Sequence, residues 1–316
     1  MKVQDLYNVV CIADDLYAMH AGVMLSSLLY HSTQPCRVFL FTTNMQEQNR
    51  QKLEETVKLH EGSQIHIMDV DIEKWDINKL SKGECIKAWN LIMYLKLLMP
   101  RILPHDIDRV LFLDVDMVIN SDISDLYNID FQNNVIVGCE DWKYCYIHKE
   151  RLGLAQDDCY INSGVVMVNL SKWRTLDKIN PVDVFMLNHK DKILNDQDAF
   201  ALYFRGEVRY IDQKWNATTF YFERKPRIAD KYLPILDEVR KSPKIIHFCE
   251  PIKPWFKECR HPYRKLYHKF LKQTPWKDFR YPSCKTHFGK PAWRYIAKHW
   301  LNLLGLRHDD WSMIKL

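Results

Sequence analysis

The sequence predicts an α/β fold built on a mostly parallel sheet with helices on its faces. Three observations carry that expectation. Short apolar runs of strand length alternate with stretches of helical period. Polar residues (Asp14, Asp114, Asp141, Asn162 and His247) stand at the strand ends, where open parallel sheets bind ligands. The 316 residues, 47% of them hydrophobic, suffice for one sizeable core.

In chain order, Asn8–Ala13 reads as a buried strand that ends in Asp14-Asp15, and Ala18–Tyr30 as an apolar helix. Arg37–Thr42 is a second strand, 46–59 a polar amphipathic helix and Ser63–Val70 a third strand. Ala88–Met99 has an apolar helical pattern that ends near Pro100. Val110–Asp114 and Asn134–Cys139 are the next strands, and Tyr160–Leu170 holds another with a polar kink at its start. Trp173 to about His189 reads as one helix, and Asn195-Asp196-Gln197-Asp198 opens a short apolar one, Ala199–Phe204. Val208–Ile211 and Lys244–Phe248 are late strands.

Nine cysteines in irregular spacing, with no Cys-x-x-Cys pair, point to free thiols in a reducing compartment. The N-terminus lacks the apolar run of a signal peptide, and no 18-residue apolar span occurs. A cytoplasmic location is therefore expected, and the glycosylation sequon Asn216-Ala217-Thr218 carries no meaning there. The net charge of +5 hides an asymmetry: Ile252–Arg307 holds 14 Lys and Arg against Glu258 and Asp278, so it carries 14 − 2 = +12 and the rest 5 − 12 = −7. Aromatics interleave with those bases, and 291–306 could form an amphipathic helix with Trp293, Ile296, Trp300 and Leu304 on one side. That pattern fits an anionic membrane surface at the inner face of the plasma membrane. A charged face packed on the core is the plainer reading, and no nucleic-acid module is recognisable, so no nucleic-acid partner is expected.

The chemistry concentrates at Leu113-Asp114-Val115-Asp116. Strand alternation aims both carboxylates one way, where a divalent cation would offset their repulsion. Two other readings stand beside it: a strand end paired with Arg109 or solvent, and a phosphatase of the haloacid-dehalogenase type with Asp114 as nucleophile. The second is weakened by the hundred residues of strand–helix units that come first. One of Asp14 and Asp15 caps the following helix. Asn195 with Asp198 resembles a capping arrangement. His247 beside two Asp oxygens suits Mn²⁺ better than Ca²⁺, and Lys253-Pro254-Trp255 places a positive charge where a diphosphate would need one.

Taken together, these pieces resemble the family 8 glycosyltransferases, the retaining bacterial sugar transferases that include lipopolysaccharide galactosyl- and glucosyltransferases. Ile12–Tyr17 resembles their nucleotide-binding opening, Tyr94–Pro100 the helix with a donor-binding Arg, Leu113–Asp116 the metal motif, and Ile161–Val165 a sugar-site strand. Asn195–Asp198 is similar to the sugar-binding helix start, and His247–Trp255 to the motif His-x-x-Gly-x-x-Lys-Pro-Trp. The matches run in order from about residue 9 to 255.

The resemblance implies a single Rossmann-like nucleotide-sugar-binding domain of GT-A type over 1–258, with a mixed, mostly parallel sheet. A basic, aromatic, α-helical extension follows over 259–316. It implies a UDP-glucose or UDP-galactose donor, a saccharide acceptor that is lipid-linked or of lipopolysaccharide-core type, and Mn²⁺, with Mg²⁺ as the alternative. Asp114, Asp116 and His247 would ligate the metal. Asp14 would face uracil with Tyr17 stacked on it, Asp141, Asn162, Asp196 and Gln197 would face the donor sugar, and Lys253 would hold the diphosphate. Gln197 would lie near the anomeric carbon, with Asp196 beside it as the second catalytic candidate.

Three departures stand out. Lys96 replaces the donor-binding Arg and loses its planar fork. Leu16 replaces an Asn that contacts ribose, and Glu250 replaces the motif's Gly, where a carboxylate could repel phosphate. A non-catalytic glycan-binding protein is the remaining alternative.

Overall fold

The computed structural model describes residues 6–74, 91–155, 157–284, 286–287, 290–304, 306 and 313–314. A seven-stranded sheet forms its centre. It is made of β1 (Tyr7–Ile12), β2 (Cys36–Thr42), β3 (Gln64–Asp69), β4 (Arg109–Leu113), β6 (Ile136–Glu140), β7 (Ile161–Asn169) and β8 (Val208–Tyr210), in spatial order β3-β2-β1-β4-β7-β6-β8. A smaller sheet joins β5 (Met117–Ile119), β10 (Ile245–His247) and β9 (Ala217–Thr218).

The first four strands of the large sheet run parallel, each linked by a helical crossover such as α1 (Ala18–His31) or α2 (Glu47–Lys58). β7 is the exception, antiparallel to both β4 and β6. The expectation that Asn162 closes a parallel strand is thus corrected. Asn162 lies at the start of a reversed strand, and reversal brings that start to the edge where β4 and β6 end. The sheet is buried on both faces: Val110 and Phe112 pack into one layer, Leu111 and Leu113 into the other.

Strand alternation holds only as far as Asp114. β4 ends at Leu113, the chain bends over Asp114–Asp116, and β5 begins at Met117. β5 then pairs antiparallel with β10, with Met117 opposite His247, and Phe248 N donates to Asp116 O at 2.9 Å. The small sheet thereby delivers His247 to the acidic bend.

The helical patterns depart from expectation at their prolines. The helix expected over Ala88–Met99 is described from Leu91, with Ala88–Asn90 outside the described residues. It is a 3₁₀ turn to Leu98 that continues as an α-helix through Ile102. Pro100 sits in the first turn of that helix, where the missing N–H costs nothing. The helix expected from Trp173 to His189 breaks into Leu170–Ile179 and Val182–Asn188 at Pro181.

The basic tail divides into two parts. The helix Arg264–Leu271 packs on α1 and buries Tyr267, Phe270 and Leu271 completely. Trp276 also lies against α1, where a Cβ built on Gly22 would come within 2.6 Å of its ring. Ala292–Leu303 is helical, as expected, and exposes Trp293, Trp300 and Leu301. No helix among the described residues is long and apolar enough to cross a membrane.

The Trp276 contact predicts that Gly22→Ala destabilises the fold by about 1–3 kcal/mol through overpacking. Urea unfolding checks it, and an unchanged midpoint would mean that Trp276 does not lie on α1.

Candidate active site

Asp114, Asp116 and His247 offer three ligand atoms within 4.8 Å of one another. Each carboxylate gives one oxygen to a lysine. Lys253 Nζ donates to Asp116 Oδ2 at 2.7 Å, and Lys96 Nζ lies 3.5 Å from Asp114 Oδ1. The other oxygens face the imidazole, with His247 Nε2 at 3.3 Å from Asp116 Oδ1 and 4.0 Å from Asp114 Oδ2. Asn216 Oδ1 lies 3.0 Å from His247 Nδ1. A proton held on Nδ1 by that bond leaves the Nε2 lone pair aimed at the acids, the arrangement usual for a metal-bound histidine.

Gly164 completes the cradle. A Cβ there would stand 2.6 Å from His247 Cε1 and 2.8 Å from Asp114 Oδ2. Two carboxylates and one oriented imidazole fit a divalent cation of mixed oxygen and nitrogen preference, such as Mn²⁺, better than Ca²⁺.

A second cluster lies alongside. Asp141, at the end of β6, is nearly buried and takes three hydrogen bonds. Asn162 Nδ2 donates to Oδ1 at 2.9 Å, while Gln197 Nε2 at 2.6 Å and the Cys145 thiol at 3.2 Å donate to Oδ2. Gln197 is fixed at its other end, where its Oε1 accepts from Ser163 N at 3.2 Å. Asp196 Oδ2 accepts from Lys96 Nζ at 2.7 Å and from Ser163 Oγ at 3.0 Å. Asn195 caps the helix Asp196–Tyr203 by accepting from Asp198 N at 2.7 Å, so capping and site position coexist. Asp198 itself is fully buried on Arg151, Tyr160 and Leu194 N and is structural.

The two clusters are joined. Asn216 Nδ2 donates to Asn162 Oδ1 at 2.8 Å, so a continuous polar line runs His247–Asn216–Asn162–Asp141–Gln197. Lys96, 1% exposed, is a second bridge, since it touches both Asp114 and Asp196 and lies over the Phe112 ring.

At the other flank, Asp14 caps the short turn Asp15–Tyr17 by accepting from Tyr17 N at 3.0 Å. Asp15 ties the strand end to α2 by accepting from Gln46 N at 2.9 Å and Asn49 Nδ2 at 2.8 Å. Tyr17 is 41% exposed and stands edge-on to Trp255. Leu16 points outward, 82% exposed. Glu250 pairs with Arg227 at 3.1 Å, and the same guanidinium also holds Glu223.

The two metal-motif acids titrate apart. Burial drives Asp114 above the usual carboxylate range, with Lys96 opposing and Asp116 adding to the rise. For Asp116 burial is outweighed by the Lys253 ammonium, which holds it well below that range.

Most of these side chains lie in motifs legible in the sequence; Asn216, Ser163, Gly164 and Cys145 join the site only through the fold. Asn216 had been visible only as a sequon, and Ser163 and Gly164 only as letters in a motif. Cys145 carried no local signal at all.

Residues 8–259 match the family model described as glycosyl transferase family 8. General stress protein A of Bacillus subtilis (strain 168) is 28% identical over 291 residues, which span 90% of this chain and 99% of that one. Lipopolysaccharide 1,2-glucosyltransferase of Escherichia coli (strain K12) is 26% identical over 284 residues, 88% of this chain and 81% of that one. Among solved structures, galactosyltransferase LgtC in complex with donor and acceptor sugar analogs superposes with a TM-score of 0.72 at 23% identity, over 85% of this chain and 96% of that one. The mixed sheet described above is the GT-A fold of that structure.

The Asn216 bond predicts that Asn216→Ala lowers whatever divalent-cation affinity the cluster has by about 10–100-fold, as loss of a partner behind a metal-bound histidine does. Titration calorimetry checks it, and unchanged affinity would show that Asn216 does not orient His247.

Proposed function

The chain belongs to glycosyl transferase family 8, and on that premise we propose that it moves glucose or galactose from a UDP-sugar to a saccharide acceptor, with retention of anomeric configuration. The observation that supports this best is the physical joining of the Asp114–Asp116–His247 cluster to the Asp141–Asn162–Asp196–Gln197 cluster. One half has the donor set for a cation, and the other is dense in oriented groups that can bind sugar hydroxyls. Their adjacency suits a substrate whose diphosphate and sugar must be held together.

Asp114, Asp116 and His247 would hold Mn²⁺, with Mg²⁺ as the alternative; bound there, the ion neutralises charge that develops on the departing UDP. Lys253 adds a second positive charge toward the diphosphate. Asp14 accepts from uracil and Tyr17 stacks on it. Asp141, Asn162 and Asp196 orient the donor sugar, and Lys96 acts from behind Asp196. It is buried, 2.7 Å from Asp196, and acts through that carboxylate as a point charge without the planar fork of an Arg. Gln197 and Asp196 are the catalytic residues of this reading. The Gln197 amide, tied at both ends, supports positive charge at the anomeric carbon without serving as an obligate nucleophile. Membership in this family removes the support for Asp114 as a phosphatase nucleophile.

The acceptor is read as lipid-linked, in line with the exposed face of the helix Ala292–Leu303. Trp293 is 63% exposed and Trp300 50%, with Arg294 and Lys298 on the same helix. Aromatic and basic side chains so arranged suit an anionic membrane surface. The protein would then work in the cytoplasm, peripheral to the inner face of the plasma membrane.

Saturating UDP with Mn²⁺ should raise the melting temperature, and Asp116→Ala should abolish that rise. Gln197→Ala should keep it while losing about 10²–10³ in kcat toward UDP-glucose or UDP-galactose. No shift in the unaltered protein would sink the donor reading, and a Gln197→Ala protein with no residual transfer would make Gln197 indispensable. Replacing both Trp293 and Trp300 by Ser should reduce co-sedimentation with phosphatidylserine vesicles at least severalfold; unchanged binding would remove this helix as the anchor.

A further inference from the structure

Tyr267 lies on the helix Arg264–Leu271, beyond the residues matched to the family. Its side chain is fully buried, and its hydroxyl lies 2.7 Å from His20 Nδ1. The His20 ring stacks flat on Trp255, with centroids 3.6 Å apart and planes 19° apart. Tyr17 stands edge-on to both rings, at 5.3 Å from His20 and 6.1 Å from Trp255. Trp255 is two residues from Lys253, whose Nζ grips Asp116. One buried stack thus backs both the exposed Tyr17 ring and the loop that carries Lys253.

We propose that Tyr267 is a positioning residue for the nucleotide end of the donor site: its hydroxyl fixes the His20 ring, which sets the plane of Trp255 and, through it, Tyr17 and Lys253. The inference rests on the reading of Tyr17 and Lys253 as groups that bind UDP.

The chemistry of the stack supports a fixed geometry. Burial pushes the His20 pKa down to about 3, so the ring is neutral near pH 7 and carries a single N–H. A neutral imidazole shares one directional bond with the Tyr267 hydroxyl, and that bond selects both tautomer and ring rotation. Without it, His20 could turn about its side-chain bonds, and the flat contact with Trp255 would no longer be unique. Tyr267 also lies 5.6 Å from Trp255 between ring centroids, so the helix contributes a wall as well as a bond. No other hydrogen bond is described for the His20 ring among the described residues.

The test is a cycle of Tyr267→Phe, which removes only the hydroxyl, and His20→Phe, which keeps a ring against Trp255. UDP affinity in the presence of Mn²⁺ is read by calorimetry, and donor KM and kcat by turnover. Each single variant should weaken UDP binding about three- to tenfold, the effect of one net hydrogen bond. Donor KM should rise by more than kcat falls, and the double variant should be no worse than either single one. A merely structural bond would lower the melting temperature and leave UDP affinity and KM unmoved, which overturns the proposal. Additive losses also overturn it, since the two residues would then act separately. Should Tyr267→Phe not fold, His20→Phe alone carries the KM-against-kcat comparison. If the unaltered protein binds no UDP, the functional reading fails; if it binds UDP and the variants match it, only the role of Tyr267 does.

Discussion

Four carboxylates meet at one edge of the sheet, and their mutual repulsion is the constraint that shapes this molecule. Asp114, Asp116, Asp141 and Asp196 are all half-buried or buried, in surroundings where an uncompensated charge is costly. Each is compensated in its own way. Asp116 is held by Lys253, and Asp141 by three neutral donors. Asp114 and Asp196 share Lys96, a cation drawn almost wholly out of solvent to lie between them. Sharing one ammonium makes the Asp114–Asp116–His247 cluster and the Asp141–Asp196 cluster electrostatically dependent on each other.

The parts of this arrangement legible in the sequence are those with local signatures. Apolar runs gave away β1, β2, β4 and β6, and the acids at their ends marked the site. The direction of β7 was not legible, because an apolar run buried on both faces reads the same for a parallel as for an antiparallel strand. The bend after Asp114 was equally hidden; it depends on β5 pairing with β10, a contact between residues more than 120 positions apart in sequence. Asn216 illustrates the same limit. Its meaning comes entirely from His247 and Asn162, and nothing within its own neighbourhood hints at either.

The basic tail shows how composition can merge unlike things. Its charge excess suggested one surface-seeking segment, yet Tyr267, Phe270 and Leu271 are core residues packed against α1. Their helix alternates that buried face with Lys265, Lys269 and Lys272 outside, so the same turns that raise the net charge also build the interior. Glu250 makes a related point. Read alone it is a bare negative charge, whereas in the fold it pairs with Arg227, whose guanidinium lies beside the stacked Trp142 and Phe220 rings.

The ladder between β4 and β7 runs on past its last strand pair, since Asp114 N donates to Gly164 O at 2.8 Å directly after Leu113 faces Val165. That ladder acts as a ruler. The distance from the metal-motif acid to Asn162 is set by hydrogen-bond register, in steps of whole residues, and a slip of one would turn every side chain to the opposite face. The centre therefore has no adjustable joint between its halves. Substitution can change the side chains on either side of that ladder, but it cannot stretch the backbone that spaces them.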